Sequence, residues 1–249
     1  MKILVCGKGG CGKSTISTLL AKEINRRGGK VLVIDTDESN FGLHSQLGMD
    51  LPQDFMNYFG GKKVLFEQVK TLQKGWKVSE LPRDYLSEKE NIKLLAMGKI
   101  YDFGEGCACP INALSSKFLE VIELKDDEFL IADTDAGIEH LGRGVDKGCD
   151  IILVVVDPSQ ESIKLANKIS KMAEAINKSF YYVLNKVDEE TKEVLLKSVD
   201  KNKVIASISE DKRIFKNCLN GEELDFKVKE IGKLADFLEG GLQKNQDGP

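Results

Sequence analysis

Histidine, tryptophan and long apolar runs are scarce in this chain of 249 residues, with two histidines and a single tryptophan, Trp76. His44 and His140 each read as structural or surface residues. The longest apolar run, Ile151–Val156, ends at Asp157-Pro158, far short of the ~18 residues of a membrane span. There is no basic excess: 36 Lys and Arg against 40 Asp and Glu leave a net charge of −4. That argues against a nucleic-acid-coating domain, since such domains are basic. The apolar start Met1–Gly7 is broken by Gly7–Gly12 and lacks a small-residue cleavage site, so it reads as a first strand rather than a secretory leader. No repeat or low-complexity segment stands out. Six cysteines (6, 11, 107, 109, 149 and 218) do not make a disulfide framework at this length. These absences together predict a cytoplasmic protein that binds neither membrane nor nucleic acid.

The chain is 41% apolar, enough for the core of one large domain. Candidate strands are Lys2–Cys6, Lys30–Asp35, Ile92–Ala96, Glu128–Asp133, Asp150–Val156, Phe180–Asn185 and Lys203–Ser207. Several are apolar throughout, as suits strands buried on both faces of a parallel sheet. Helical spacing marks Ser14–Arg27, Ser159–Asn177 after the Pro158-Ser159 start signal, and Glu223–Leu238. The order predicts an α/β fold: a doubly wound, mostly parallel sheet with helices on both faces and ligands at the C-terminal strand ends. The polar stretch around 50–90 reads as a helical insert over one edge. Residues 1–242 read as one domain and 243–249 as a disordered tail.

Gly7-Lys8-Gly9-Gly10-Cys11-Gly12-Lys13-Ser14 fits G-x-x-x-x-G-K-[ST] between a strand and a helix, the context a phosphate-binding loop requires. Its glycines let backbone N–H groups of Gly9, Gly10, Cys11, Gly12 and the following Lys13, Ser14 and Thr15 wrap phosphates, and the helix N-terminus adds partial positive charge. Lys13 reaches the β/γ-phosphates and the Ser14 hydroxyl binds Mg²⁺. Phe129–Asp133 is an apolar strand ending in an acid, the form of a Walker B segment, so Asp133 faces Mg²⁺ through water. The Gly137 N–H is placed to sense a γ-phosphate, because glycine permits close approach. Asn185-Lys186-x-Asp188 spells the guanine-reading N-K-x-D of GTPases, a short and weak signal that keeps GTP open beside ATP.

Cys107-Ala108-Cys109-Pro110 follows Gly104-Glu105-Gly106. In extended chain, residues i and i+2 point to one side, so both thiolates face one metal. A closed site takes about four ligands, and a symmetric dimer supplies this pair twice. Tetrahedral S₄ suits Zn²⁺ and a tetragonal arrangement Ni²⁺; a bridging [4Fe–4S] cluster is a third chemistry. Cys6, Cys149 and Cys218 read as core residues, and Cys11 as packed within the loop.

Lys8 before Gly9-Gly10 resembles the deviant Walker A loop, K-G-G-x-x-K-[ST], of the MinD / nitrogenase iron protein class of P-loop NTPases. That resemblance implies that Lys8 reaches the nucleotide of a facing subunit, as an arginine finger does. It also implies that Asp37 positions the attacking water, Asp35 supports the Mg²⁺ shell, Asn185 with Lys186 contacts the base, and the nucleotide is ATP, left as ADP. With Gly104–Cys109 and Asp133–Gly144 added, the chain resembles the CooC-type nickel-insertion ATPases of carbon monoxide dehydrogenase maturation. The implied protein is a nucleotide- and metal-dependent homodimer that carries Ni or Zn at Cys107/Cys109 to a client nickel enzyme, carbon monoxide dehydrogenase or acetyl-CoA synthase. Asp133–Gly148 contains no cysteine, unlike the nitrogenase iron protein pattern. Phe226–Leu238 is of mixed charge, unlike the basic membrane helix of MinD. A redox ATPase like the nitrogenase iron protein, an iron–sulfur carrier and a positioning ATPase of the MinD or partition type remain the rival readings.

Overall fold

The computed structural model describes residues 1–102, 108–135 and 148–246. Its main sheet has eight strands: β1 (Lys2–Gly7), β2 (Lys30–Asp35), β4 (Ser87–Lys89), β5 (Ile92–Ala96), β7 (Glu128–Asp133), β8 (Ile151–Val156), β9 (Ser179–Val187) and β10 (Val204–Ser209), in the order β10-β9-β8-β1-β7-β2-β5-β4. All neighbours run parallel except the edge strand β4, which is antiparallel to β5. A second ladder pairs β3 (Trp76–Lys77) with β6 (Ile122–Glu123). The expected doubly wound α/β architecture is therefore the observed one.

Alternation along the strands sorts the core into two faces. Ile3 and Val5 of β1 join Val31 and Val33 of β2 on one face, under α1 (Lys13–Arg26) and α8 (Lys229–Gln246). Leu4, Cys6, Leu32 and Ile34 pack on the other, under α4 (Cys109–Val121) and α5 (Gln160–Ala175). Covering both faces explains why these strands carry almost unbroken apolar runs. The helices begin on local signals. Ser159 caps α5 by accepting from the Ser162 N–H at 3.3 Å. Asp188 caps α6 (Glu189–Ser198), and Asp211 caps α7 (Lys212–Asn220), which stops at the left-handed Gly221.

Three expectations are corrected. Residues 50–90 form little α-helix: beyond α3 (Leu65–Thr71) there are 3-10 turns at Phe55–Phe59, Val78–Glu80 and Arg83–Tyr85, and the strands β3 and β4. This segment is organised by aromatic packing. The fully buried Phe55 sits against Phe59, Trp76, Tyr85 and the Phe118 of α4 at centroid distances of 5.2–6.2 Å. The last helix starts at Lys229 rather than Glu223. Glu223 is drawn out of helix by Lys22 and Lys89, which both donate to its carboxylate, and the Leu224 N–H donates to the Gln46 carbonyl at 2.9 Å. That same helix runs on to Gln246, into the stretch expected as tail.

Candidate nucleotide-binding site

The connection after β1 runs to β2 on one side and that after its neighbour β8 runs to β9 on the other, so the C-terminal ends of β1 and β8 form the switch point where open α/β sheets bind ligands. The phosphate loop follows there. Gly12 opens α1 with φ 103°, and a Cβ at this position would run into the Asn185 amide. Gly7 lies so close to β8 that a Cβ would stand 2.5 Å from the Val155 carbonyl. The loop is closed by the Cys11 N–H donating to the Lys8 carbonyl at 3.2 Å, and Lys13 Nζ donates to that same carbonyl at 3.3 Å. Cys11 is buried beneath it, its thiol pushed up to about 11 by burial. Lys8 is partly exposed, with Nζ 3.6 Å from Asp157 at the end of β8.

The acids meet beside the loop. Asp35 and Asp133 are register partners at the ends of β2 and β7. Asp133 accepts from Ser14 Oγ at 2.6 Å and from Ser17 Oγ at 2.9 Å, and Asn40 Nδ2 donates to Ser14 Oγ at 2.8 Å. Complete burial pushes the Asp133 carboxyl up to about 6 against the pull of the two serines. Asp35, expected to support the Mg²⁺ shell, pairs with a lysine. Its carboxylate is 2.6 Å from the Nζ of fully buried Lys99. Burial raises it to about 7 even so, with Lys99 pulling the other way. Asp37 lies further out and accepts from the Ser39 N–H at 2.9 Å and the Ser39 hydroxyl at 2.6 Å.

A cavity of about 630 Å³ runs from the loop to α7, within the usual range of ligand sites. Its lining includes Gly9, Gly10, Gly12, Lys13, Ser14 and Thr15 of the loop and α1, Asp37 and Asn40 after β2, Asn185 and Lys186 of β9, Ile208–Asp211, and Ile214, Phe215 and Cys218 of α7. Asn185 Nδ2 donates to the Cys11 carbonyl at 2.8 Å, and Lys186 Nζ to the Gly10 carbonyl at 2.7 Å. Both residues are thus tied to the phosphate loop. Asp188 is not part of the lining. It is exposed and caps α6, accepting from the Thr191 N–H at 2.8 Å and the Thr191 hydroxyl at 2.6 Å. The N-K-x-D spelling is accordingly a strand end followed by a helix cap.

The residues present fit a magnesium nucleotide. The loop offers backbone N–H groups and a lysine to phosphate. The Ser14 hydroxyl and Asp133 carboxylate form a hard-oxygen set suited to Mg²⁺. When bound, the cation would neutralise charge developing on the transferred phosphoryl group.

Comparison with known proteins agrees with this geometry. Residues 2–224 match the CobQ/CobB/MinD/ParA nucleotide binding domain family. The chain belongs to that family. It is an ATP-binding ATPase of the MinD/ParA type. It is 53% identical to an uncharacterized ATP-binding protein of Methanocaldococcus jannaschii, over 96% of this chain and 99% of that one. To the carbon monoxide dehydrogenase accessory protein CooC of Rhodospirillum rubrum it is 32% identical, over 75% of this chain and 74% of CooC. Among solved structures, the septum site-determining protein MinD of Pyrococcus horikoshii with Mg-ADP superposes with a TM-score of 0.68, covering 96% of this chain and 95% of MinD at 19% identity. That likeness is one of fold.

Some expected site residues lie outside the described residues: Cys107 of the cysteine pair, Gly137, and His140. Cys109 is described and takes the first position of α4, partly exposed. No cluster of three or more His, Cys, Asp or Glu residues that could hold a metal occurs among the described residues. Nor is any helix there long and apolar enough to cross a membrane. Cys218 is corrected: it is not core but half-buried in the cavity wall, 3.9 Å from Thr15 Oγ1. Lys99, Asn40, Ser17 and Phe215 were not anticipated. Ser17 had a signal, since it lies one helical turn beyond Ser14 on the face toward Asp133. Lys99 had only a weak one, as a lone lysine just past a buried strand.

Proposed function

We propose that this ATPase is a nucleotide-dependent metallochaperone. It dimerises around ATP, carries Ni²⁺ (or Zn²⁺) on the Cys107 and Cys109 thiolates of two protomers, and delivers it to a nickel enzyme of the carbon monoxide dehydrogenase kind. In this reading Lys8 acts across the dimer, Asp37 holds the attacking water, and Gly137 senses the γ-phosphate.

One observation carries the reading. The segment 97–101, which leads toward Cys109, is fastened along the loop 35–41 that lies at the phosphate end of the cavity. The Met97 N–H donates to the Asp35 carbonyl at 2.9 Å, the Ile100 N–H to the Glu38 carbonyl at 3.1 Å, and Tyr101 packs on Phe41 at 5.6 Å. In this reading a change in that loop on hydrolysis acts on residues 97–101, the chain that precedes the cysteine pair, and supports metal release. The partial identity with CooC supports the cargo.

The test is an anaerobic Ni²⁺ titration of the wild type and the Cys107→Ala/Cys109→Ala variant, with and without ATP. The expected result is about half an equivalent per chain, the stoichiometry of one four-thiolate site per dimer, with binding lost in the variant. Equal binding by both proteins, or none by either, refutes the nickel reading. A brown protein after anaerobic purification would favour the iron–sulfur carrier instead. ATP-dependent binding to anionic vesicles or DNA would favour a MinD- or partition-type positioning ATPase.

A further inference from the structure

Lys99 is a charged side chain with no exposed surface, and it makes contacts that a buried counter-ion alone does not need. Its Nζ reaches Asp35 Oδ2 at 2.6 Å, the Asp37 carbonyl at 2.5 Å and the Asn40 carbonyl. An ammonium has three protons, and all three are taken by one short stretch of chain, 35–40. The two carbonyls belong to the residues whose side chains work at the phosphate end. Asp37 lines the cavity there, and Asn40 donates to Ser14 Oγ, which in turn donates to Asp133. The Phe41 ring, 5.7 Å from Nζ, closes the far side.

We propose that Lys99 is a positioning residue for ATP hydrolysis: its ammonium gathers the loop 35–40 around itself and so holds Asp37 and Asn40 at the Mg²⁺ and γ-phosphate end of the cavity. Asp35 is the anchor that holds the Lys99 side chain in place, and it acts through Lys99 rather than on the cation. The arrangement makes the loop's course depend on a residue of the neighbouring strand connection. This inference rests on the ATPase activity and on the assignment of the water to Asp37, and not on the identity of any metal cargo.

Three variants test it: Lys99→Met, Asp35→Asn/Lys99→Met, which removes both buried charges together, and Asp37→Ala. Displacing a catalytic group by an ångström is enough to cost about 10²-fold in rate. The expected result is a fall of that order in kcat for Lys99→Met, with ADP affinity within about twofold of wild type, because the loop N–H groups and Asn185 are untouched. The double variant is expected to regain thermal stability but not kcat. Recovery of kcat in the double variant would show that only charge balance matters and would overturn the proposal. So would equal losses of kcat and ADP affinity, which mean general distortion. Should Lys99→Met fail to fold, the double variant is read by itself against the same outcomes. Hydrogen exchange on the nucleotide-free wild type gives an independent reading. The Ile100 and Asn40 amides, which donate to Glu38 and Asp37, are expected to be protected, and exchange at unfolded-chain rates would overturn the proposal. Full activity in Asp37→Ala refutes the assignment of the water to Asp37 and the proposal with it, whereas loss of kcat in Asp37→Ala with full activity in Lys99→Met overturns the proposal alone.

Discussion

Asp188 is where motif and geometry disagree most directly, and replacing it separates them. In a guanine reader this carboxylate accepts from the base, and losing a hydrogen bond to a charged group costs about 1.5–3 kcal/mol, or roughly 10- to 10²-fold in affinity. Here the carboxylate accepts the Thr191 N–H and hydroxyl at the start of α6, and stands outside the cavity. Asp188→Ala is then a helix-cap deletion, worth about 1 kcal/mol. For a chain of this size that lowers Tm by about 2–4 °C. Asn caps about as well as Asp, so Asp188→Asn is expected to keep the wild-type Tm. Neither variant should alter the ratio of ADP to GDP affinity, measured by calorimetry beside thermal melts. A shift of tenfold or more in that ratio, with Tm unchanged, would refute the cap assignment and restore Asp188 to the base.

The cavity thiol Cys218 is expected to react with a maleimide and to be shielded by Mg-ADP, whereas Cys11, raised to about 11 and buried, stays unmodified at pH 8 in native protein; mass spectrometry after labelling distinguishes them. Burial raises Asp35 and Asp133 to about 7 and about 6, so the nucleotide-free folded state holds protons that the unfolded chain, titrating near 3.8, has released. Its stability should therefore decline as pH rises from about 4 to 7, and denaturant melts across that range that rise instead would contradict the burial argument. Phe55→Ala removes the centre of the aromatic cluster and is expected to cost about 3–5 kcal/mol, read from urea unfolding, with nucleotide affinity unchanged because the cavity does not include that cluster.

Legibility in this sequence followed the range of the physics involved. The strands Lys30–Asp35, Ile92–Ala96 and Glu128–Asp133 were readable to the residue, because burial on both faces writes itself into a continuous apolar run. The phosphate loop was readable because its job constrains adjacent residues. Residues 50–90 were not, since Phe55 gets its place from Phe118, a contact no local period encodes. Glu223 looked like the start of a helix because its attachments, Lys22 and Lys89, are far away in the chain. Lys99 was passed over for the same reason: its partner Asp35 is 64 residues distant. Asp188 shows the converse failure, in which a local spelling carries a chemistry that the fold does not use.

The pairing of Asp35 with Asp133 explains why a buried lysine belongs at this site. Two carboxylates at register-paired ends of adjacent parallel strands repel each other, and desolvation penalises both. Burial holds both above the ordinary carboxylate range, Asp35 at about 7 despite Lys99 and Asp133 at about 6. Lys99 compensates Asp35 alone, since its contacts all lie on the β2 side. Asp133 accepts from two serine hydroxyls and feels the Lys13 ammonium without pairing with it directly. The nucleotide site therefore retains one buried carboxylate lacking a full counter-charge, beside a serine hydroxyl and the phosphate loop. A divalent cation arriving with nucleotide supplies that counter-charge. The free energy of binding the cation then includes relief of the desolvation cost on Asp133, so the nucleotide is expected to bind more tightly with Mg²⁺ than without it.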